Sequence, residues 1–383
     1  MQIFTDTKID FMGMKVYAAL FSGSLLVLAM AIIIIKGLSF GIDFRGGTEI
    51  ELKFAQAPDI GTLRSRLEAA VGGVTLQPVG SAEERTVLVR AGSEGNASAI
   101  SEKISTALLS PEDAAAAASG RTNLNQVGKD ALGQRIKECG AGITDESATA
   151  LAEGILAVRL AQGGVLAGLD SIAAVPGLTP EIRQCLERET FLPPFTRWRD
   201  YYVGPKVGQE LRTKAIWAIA VSLVGILIYL TFRFQFEYGV GAVVALFHDV
   251  IITTGLLVML GVEFDLTVVA ALLTLAGYSV NDTIVVFDRI RDNLRIKRTA
   301  GIDDIVNLSL NQTLSRTVLT GGTSLMVILS MLFLGGTAFY GFSLALLIGI
   351  IKGTYSSLFV ASPIVVVWQQ YVTAPRARRI ARA

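Results

Sequence analysis

Apolar residues in this chain gather into long runs separated by polar stretches, and run length predicts what each becomes. Val16–Leu38, Ala215–Phe232, Gly239–Gly261, Asp265–Phe287, Thr317–Leu334 and Phe339–Trp368 each come close to or exceed the roughly 20 helical residues that cross a hydrocarbon core of about 30 Å. Six transmembrane helices are predicted. The first run follows Lys8 and Lys15, as the core of a signal peptide would. It is nearer a full span than the roughly 7 to 15 apolar residues of such a core, and it runs into SFGIDFRGGTEIELKF with no persuasive cleavage site. It reads as an uncleaved anchor.

Between the first and second runs the period changes. Gly41, Gly46 and Gly47 allow a sharp turn at the membrane exit, after which Thr48–Phe54 alternates as a half-buried strand does. Asp59–Ala70 reads as an amphipathic helix, Val74–Val79 and Thr86–Arg90 as strands, and Ser98–Leu109 as a second helix. The order β-α-β-β-α completes a ferredoxin-like split β-α-β unit if Arg197–Val203, RWRDYYV, supplies a fourth strand. An Ala- and Gly-rich insertion, about 110–194, separates that strand from the rest. Within it LDSIAAVPGLTPEIRQCLE predicts helix, Pro-Gly turn, Thr179 as N-cap before Pro180, and helix again; DNA binding is not implied. The organisation expected is residues 1–15 as a cytoplasmic N-terminus, 16–38 as the first span, 39–213 as an extracytoplasmic α+β domain, 214–369 as five further spans, and 370–383 as a basic cytoplasmic tail.

Composition agrees with a membrane protein: of 383 residues 51% are apolar and only 17% charged, with mean hydropathy +0.53, too apolar for an ordinary soluble chain. The formal net charge of +1 hides an uneven distribution. Arg289, Arg291, Arg295, Lys297 and Arg298 follow the fourth run, and Arg376, Arg378, Arg379 and Arg382 follow the sixth. Putting these inside, with both termini, leaves the polar domain and the short segments VEFD and GGTAF outside. Nothing suggests nucleic-acid binding. Cys139 and Cys185 stand in no metal-ligand spacing, which leaves a disulfide open. With His248 the one histidine, a metal site has little to draw on, and no cofactor is expected.

Chemistry concentrates where charge interrupts the apolar runs. Asp282 lies inside the fourth run, roughly two turns from its charged end, where an ionised Asp costs about 2.5 to 3.5 kcal/mol unless it faces a bundle interior or a hydrated path. Small or polar residues recur beside it at Ala270, Thr274, Gly277 and Asn281, a stripe suited to close packing. His248 and Asp249 in the third run fall within about one turn of the same depth, so the four polar groups could share one hydrated network and relay protons. Arg316, where the fifth run begins, is either a counter-ion able to fork two bonds to a carboxylate or a snorkelling interfacial cation. Lys352 falls near the middle of the sixth run beside Gly349, Gly353 and Ser357, and pairing with Asp249 is the expectation its depth raises. The links GIDFRGG, with Gly41, Asp43, Arg45, Gly46 and Gly47, and VGPKVGQELR, with Gly204 and Pro205, tether the polar domain at both ends and make it a lever for helix movement.

FGIDFRGGTEIEL, YVGPKVGQELR, FHDVIIT, YSVNDTIVVFDRIRDNLR, LNQTLSRTVLT and GTYSSLFVASP, in this order, resemble the SecF family over nearly all of the chain except the insertion. The resemblance implies half of an RND-like twelve-helix unit completed by SecD, with the SecYEG channel, YajC, a translocating polypeptide and membrane lipids as partners. It implies a bacterial inner-membrane subunit without hydrolytic activity that uses the proton-motive force to promote protein export. It further implies that Asp282 is the carboxylate of the proton path and Arg316 the cation opposing it. The insertion and the charge at Lys352 depart from the family pattern. Two other readings stay open: a half-transporter for a small molecule or lipid, which needs a large apolar pocket in the outer domain, and a proton-independent assembly scaffold.

Overall fold

The computed structural model describes residues 7–79, 85–92, 97–140, 143–234, 236–297, 299–336 and 339–373. Arg298 and the basic tail beyond residue 373 lie outside them. The chain divides into two compact units, one of residues 42–209 and one of residues 1–41 with 210–383.

Helix α1 (Lys15–Lys36) ends at Gly37, whose φ of 72° stops it. The polar unit opens with the one-turn helix α2 (Ile42–Arg45) and strand β1 (Gly47–Phe54), followed by α3 (Ile60–Val71), β2 (Val74–Val79), β3 (Thr86–Ala91) and α4 (Ala97–Leu108). Asp59 caps α3 by accepting from the Gly61 and Thr62 backbone N–H groups. After the insertion, β6 (Phe195–Val203) returns to the sheet, whose order β2-β3-β1-β6 is antiparallel throughout. This is the split β-α-β arrangement expected from the sequence, with the fourth strand two residues longer. One face of the sheet, with Ile50, Leu52, Val87 and Val89, packs against Leu63 and Leu67 of α3 and Ile100 and Ile104 of α4.

The insertion is a helical lobe with its own core. Helices α5 (Pro111–Ala118), α6 (Lys129–Cys139), α7 (Asp145–Ala161) and α8 (Pro180–Glu189) enclose Leu132, Ile136, Leu151, Ile155, Ile172 and Leu186. Ser110, Thr144 and Thr179 cap three of them, and Pro180 follows its cap as predicted. The two-residue strands β4 (Thr122–Asn123) and β5 (Thr190–Phe191) pair in parallel where the lobe joins the sheet. Asn125, 2% exposed, holds that junction: its amide donates to the carbonyls of Leu166 and Pro193 and accepts from the Leu166 N–H. Cys139 and Cys185, 46 residues apart, form a disulfide joining α6 to α8.

Among the described residues six helices are long and apolar enough to cross a bilayer: α1, α9 (Pro205–Arg233), α10 (Phe236–Met259), α11 (Leu266–Ile296), α12 (Ile302–Leu334) and the broken helix Tyr340–Tyr371. The last consists of α13 (Tyr340–Ser356), a π-helical segment (Ser357–Ala361), α14 (Ser362–Trp368) and a second π-helical segment (Gln369–Thr373). Pro363 accounts for the break, since it brings no N–H to the helical ladder. Helices α10, α11 and α13 pack on one another, α1 runs along α10, and α12 leans on α11 and α13. Several helices outrun their apolar cores. Helix α9 starts at Pro205, a residue pre-set for the first helical position, so VGPKVGQELR is mostly helix rather than link. Helix α12 starts at Ile302, 15 residues before the apolar run, because Asn307 and Asn311 one turn apart accept from the Met12 and Ile9 backbone N–H groups.

Candidate functional site

Within the bundle two buried acids sit on neighbouring helices. Asp249 on α10 is fully buried. Its Oδ2 accepts from Ser279 Oγ of α11 at 2.7 Å and from Ser356 Oγ of α13 at 2.5 Å, and its Oδ1 lies 3.1 Å from His248 Nδ1. Such a carboxylate is satisfied by charge-assisted bonds. Asp282 on α11 is 9% exposed and is held at one oxygen: Oδ1 accepts from Thr317 Oγ1 of α12 at 2.8 Å, while Oδ2 has no hydrogen-bond partner among the described residues.

Hydroxyls fill the space between these acids. Thr283, next to Asp282, lies 3.0 Å from Ser357 Oγ. Ser357 and Ser356 both donate to the Gly353 carbonyl, at 3.0 and 3.1 Å. Ser356 then reaches Asp249. The row sits where α13 gives way to the π-helical segment, a geometry frequent at functional sites. Close helix approach makes it possible: a Cβ at Gly353 would stand 3.3 Å from Ser279 Cβ, so glycine lets α13 bring its serines against α11.

Sequence reasoning located Asp249, His248 and Asp282, but not Ser279, Thr283, Thr317, Ser356 or most of the role of Ser357. The available signal was the small polar run GTYSS beside Lys352. The other candidates stand apart from the hydroxyl row. Asn281 is exposed, as are Ala270, Thr274 and Gly277 of its stripe. Nothing lies within 4 Å of a Cβ built at Gly277; the stripe predicted to pack closely is uncovered by the described residues. Arg316 is exposed on α12, and its carbonyl accepts from Thr320 Oγ1. Lys352 Nζ rests 4.4 Å from the ring centroid of Tyr355, a cation–π contact in place of an ion pair with Asp249. Tyr355 is tied to α1 through Ser22, its hydroxyl 3.0 Å from Ser22 Oγ.

The link residues fall into two groups. Gly41 donates its N–H to the Phe264 carbonyl, and Phe264 donates to the Ser39 carbonyl, which straps the end of α1 to the turn before α11. In the polar unit Asp43 accepts from Tyr201 OH at 3.4 Å, and Arg45 is exposed. Gly46 and Gly47 have φ of 76° and 146°; a Cβ would lie 2.8 Å from Pro205 Cα at the first and 2.7 Å from the Ala91 carbonyl oxygen at the second. Gly208 closes the same contact, its would-be Cβ 2.9 Å from Gly46 N, whereas Gly204 is roomier. These glycines are close-packed as well as conformationally required. Among the described residues no group of three or more His, Cys, Asp or Glu could hold a metal ion.

Comparison with known proteins matches residues 187–371 to the family described as "Protein export membrane protein SecD/SecF, C-terminal" and residues 31–58 to the "SecD/SecF GG Motif". The protein translocase subunit SecF of Koribacter versatilis is 40% identical, over 97% of this chain and 94% of that one. Those of Desulfurispirillum indicum and Rhodothermus marinus are 37% identical (97% and 95% of the two chains) and 32% identical (100% of both). A crystal structure of SecDF, a translocon-associated membrane protein from Thermus thermophilus, superposes with a TM-score of 0.63 at 30% identity, covering 95% of this chain and 39% of that chain. A SecDF structure in a super-membrane-facing form gives 0.58 at 31% identity, covering 98% and 41%. The chain thus spans about two fifths of the solved SecDF chains and nearly the whole of the separate SecF subunits. With six membrane-crossing helices, a split β-α-β domain and this extent of likeness, the chain belongs to the SecF family of protein translocase subunits, which are transport proteins and not enzymes.

Proposed function

We propose that this chain couples proton movement through its membrane bundle to movement of its polar domain, and so promotes protein export as the SecF half of a SecDF-type unit. The observation that carries the reading is the asymmetry of the two buried acids. Asp249 has both oxygens engaged, whereas Asp282 keeps one oxygen open. An arriving proton has a place to bind at Asp282 Oδ2, and its arrival removes the charge that Thr317 of α12 answers. The grip between α11 and α12 then loosens, and proton release restores it. The hydroxyls of Thr283, Ser357 and Ser356 line the space between Asp282 and Asp249; Ser357 and Ser356 both donate to the Gly353 carbonyl, so a relay along them needs the hydroxyls to turn toward one another. Lys352 rests on the Tyr355 ring and makes no ion pair with Asp249 among the described residues.

Magnitudes allow this. A proton moving through 100 mV releases about 2.3 kcal/mol, and one pH unit adds about 1.4 kcal/mol. Carrying a two-state element from 1:99 to 99:1 takes about 5.5 kcal/mol, so two protons per cycle suffice.

Orientation and partners follow from the same residues. The Cys139–Cys185 disulfide favours the oxidising, outer side for the polar domain, as does the excess of Arg and Lys at the opposite ends of the helices; both termini are then cytoplasmic. The uncovered stripe of Ala270, Thr274, Gly277 and Asn281 suits a second six-helix half, which SecD would supply. The Sec channel and the polypeptide in transit complete the assembly.

The deciding measurement is gradient-driven export in membrane vesicles without ATP, comparing the parent complex with Asp282→Asn. Loss of the gradient-dependent part is expected while the complex still assembles. Undiminished gradient-driven export by Asp282→Asn would remove the proton coupling and favour a scaffold.

A further inference from the structure

Residues 7–14 precede α1 without forming a helix or strand, yet two of their side chains are built into the membrane bundle. Phe11 and Met12 are 4% and 2% exposed and share an apolar core with Leu230, Phe287, Leu310 and Leu358. Phe11 meets Phe359 of the first π-helical segment, ring centroids 5.6 Å apart. The sixth helix ends where α12 begins, since Gln370 donates to Asp303 in the first turn of α12 at 3.2 Å. Phe359, two residues after Ser357, therefore lies on the side of the hydroxyl row that faces this end of the bundle.

The segment is held there by two side-chain amides of α12. Asn311 accepts from the Ile9 N–H at 2.9 Å and donates to the Ile9 carbonyl at 2.8 Å, the two-way pairing by which one strand recognises another. Asn307, one turn earlier, accepts from the Met12 N–H at 2.9 Å and donates to Asp10 Oδ1 at 2.7 Å. Asp10 Oδ1 also accepts from the Gly13 N–H at 2.8 Å, which turns the segment toward α1. Lys15, the first residue of α1, pairs with Asp303 at 2.9 Å. Three of the four asparagine bonds are exposed, so water can replace them and the clasp can open without stranding a buried polar group.

Placement gives the clasp a role. Asn311 stands six residues before Thr317, about 9 Å along the same helix, and Thr317 is the residue that holds Asp282. A shift of α12 that releases Asp282 thus pulls directly on the clasp. At its other side the segment presses Phe11 against the helix that carries Ser356 and Ser357. Apolar side chains packed across the end of a polar row keep water from it, as hydrophobic constrictions do in channels.

We infer that residues 9–14 form a gate at the end of the bundle where α12 begins: while Asn307 and Asn311 hold the segment, Phe11 and Met12 bar water from the hydroxyl row, and a shift of α12 opens it. This rests on the proton-coupling reading above. It supplies the element that keeps the route from standing open at both ends at once.

The test uses the complete SecDF complex in vesicles that enclose a pH-sensitive dye, with an imposed proton gradient and no export substrate. Asn307→Ala with Asn311→Ala unfastens the clasp and leaves every hydroxyl of the row in place. Proton entry should rise about tenfold, the equivalent of one to two hydrogen bonds, and adding Asp282→Asn should return it to the parent's level. In the opposite arm, Asp10→Cys with Asn307→Cys, joined by a short reducible thiol-reactive linker, holds the segment down. Gradient-driven export should then fall about tenfold or more and recover on reduction; the parent, with its own Cys139–Cys185 bridge, is treated in the same way as control. A lower thermal midpoint with proton entry unchanged would make the segment an anchor only and overturn the gate. Proton entry that persists with Asp282→Asn, or export undisturbed by the linker, would overturn it as well. If Asp282→Asn alone leaves gradient-driven export undiminished, the coupling falls and the gate with it; if it stops that export and either clasp arm fails, the gate alone falls.

Discussion

Removing the Cys139–Cys185 disulfide should loosen the helical lobe and leave the sheet intact. The bridge closes a segment of 46 residues; in the chain-entropy description a loop of that size raises folding free energy by about 4 kcal/mol through restriction of the unfolded chain. Little else can replace it. The ion pairs near α6 and α8, such as Arg183 with Asp170 and Arg135 with Glu189, are on the surface, where each is worth about 0 to 1 kcal/mol. The effect should also stay local, because Leu132, Ile136, Ile155 and Leu186 belong to a core separate from that of the sheet. The double variant Cys139→Ser with Cys185→Ser, purified within the full complex, is the perturbation, and amide hydrogen exchange resolved by peptide is the assay. About 4 kcal/mol corresponds to a rise of roughly a thousandfold in the open population of the lobe, read as faster exchange in α6, α7 and α8. Peptides from β1 and α4 should exchange as before. A rise of less than about tenfold in the lobe, or an equal rise in the sheet, would refute the reasoning.

Other outcomes follow from individual contacts. Ser356→Ala removes one of the two hydroxyls on Asp249; a hydrogen bond to a charged group is worth about 1.5 to 3 kcal/mol, so gradient-driven export in vesicles should slow by about tenfold or more, and an unchanged rate would exclude a path through Ser356. Gly353→Leu forces a side chain against Ser279, where even a Cβ stands 3.3 Å from its neighbour; overpacking of this kind costs about 1 to 3 kcal/mol, seen as a lower thermal midpoint for the complex in detergent. The Asp59 carboxyl is held below the usual carboxylate range by the Thr62 hydroxyl and by the backbone N–H groups of Thr62 and Gly61. Its contribution to α3 is therefore present above the unfolded value of about 3.9 and is lost as pH falls through the lower folded value. The protection of the first-turn amides of α3, taken relative to unstructured peptide at the same pH, should fall on acidification in the parent and show less pH dependence in Asp59→Ala.

The sequence makes the six spans legible because burial in lipid demands length and apolarity, both additive along the chain. It hides the polar ends of the helices, since Pro205–Arg212 and Ile302–Arg316 become helical through a favoured first residue and through contacts with Asn307 and Asn311 that hydropathy does not register. The split β-α-β domain could be read despite the insertion because RWRDYYV alternates and bounds a polar stretch. Asp282 and Asp249 stand out as carboxylates among apolar neighbours. Their partners do not, because serine and threonine occur on any face of a membrane helix and only packing decides which meet; Ser279, Thr317 and Ser356 come from three different helices. Arg316 and Lys352 show the opposite limit. Similar depth along a bilayer does not fix the direction in which a long side chain turns, and in this conformation Lys352 turns to Tyr355.

The interlocked backbone of Gly46, Pro205 and Gly208 means that the first and last segments of the polar unit are fastened to each other. Side chains have no room there, so the incoming and outgoing strands are riveted together and cannot be tugged separately. Any force carried along one is shared at once by the other. A methyl group inserted at that rivet should therefore uncouple transmission without unfolding either the sheet or the helices that it joins.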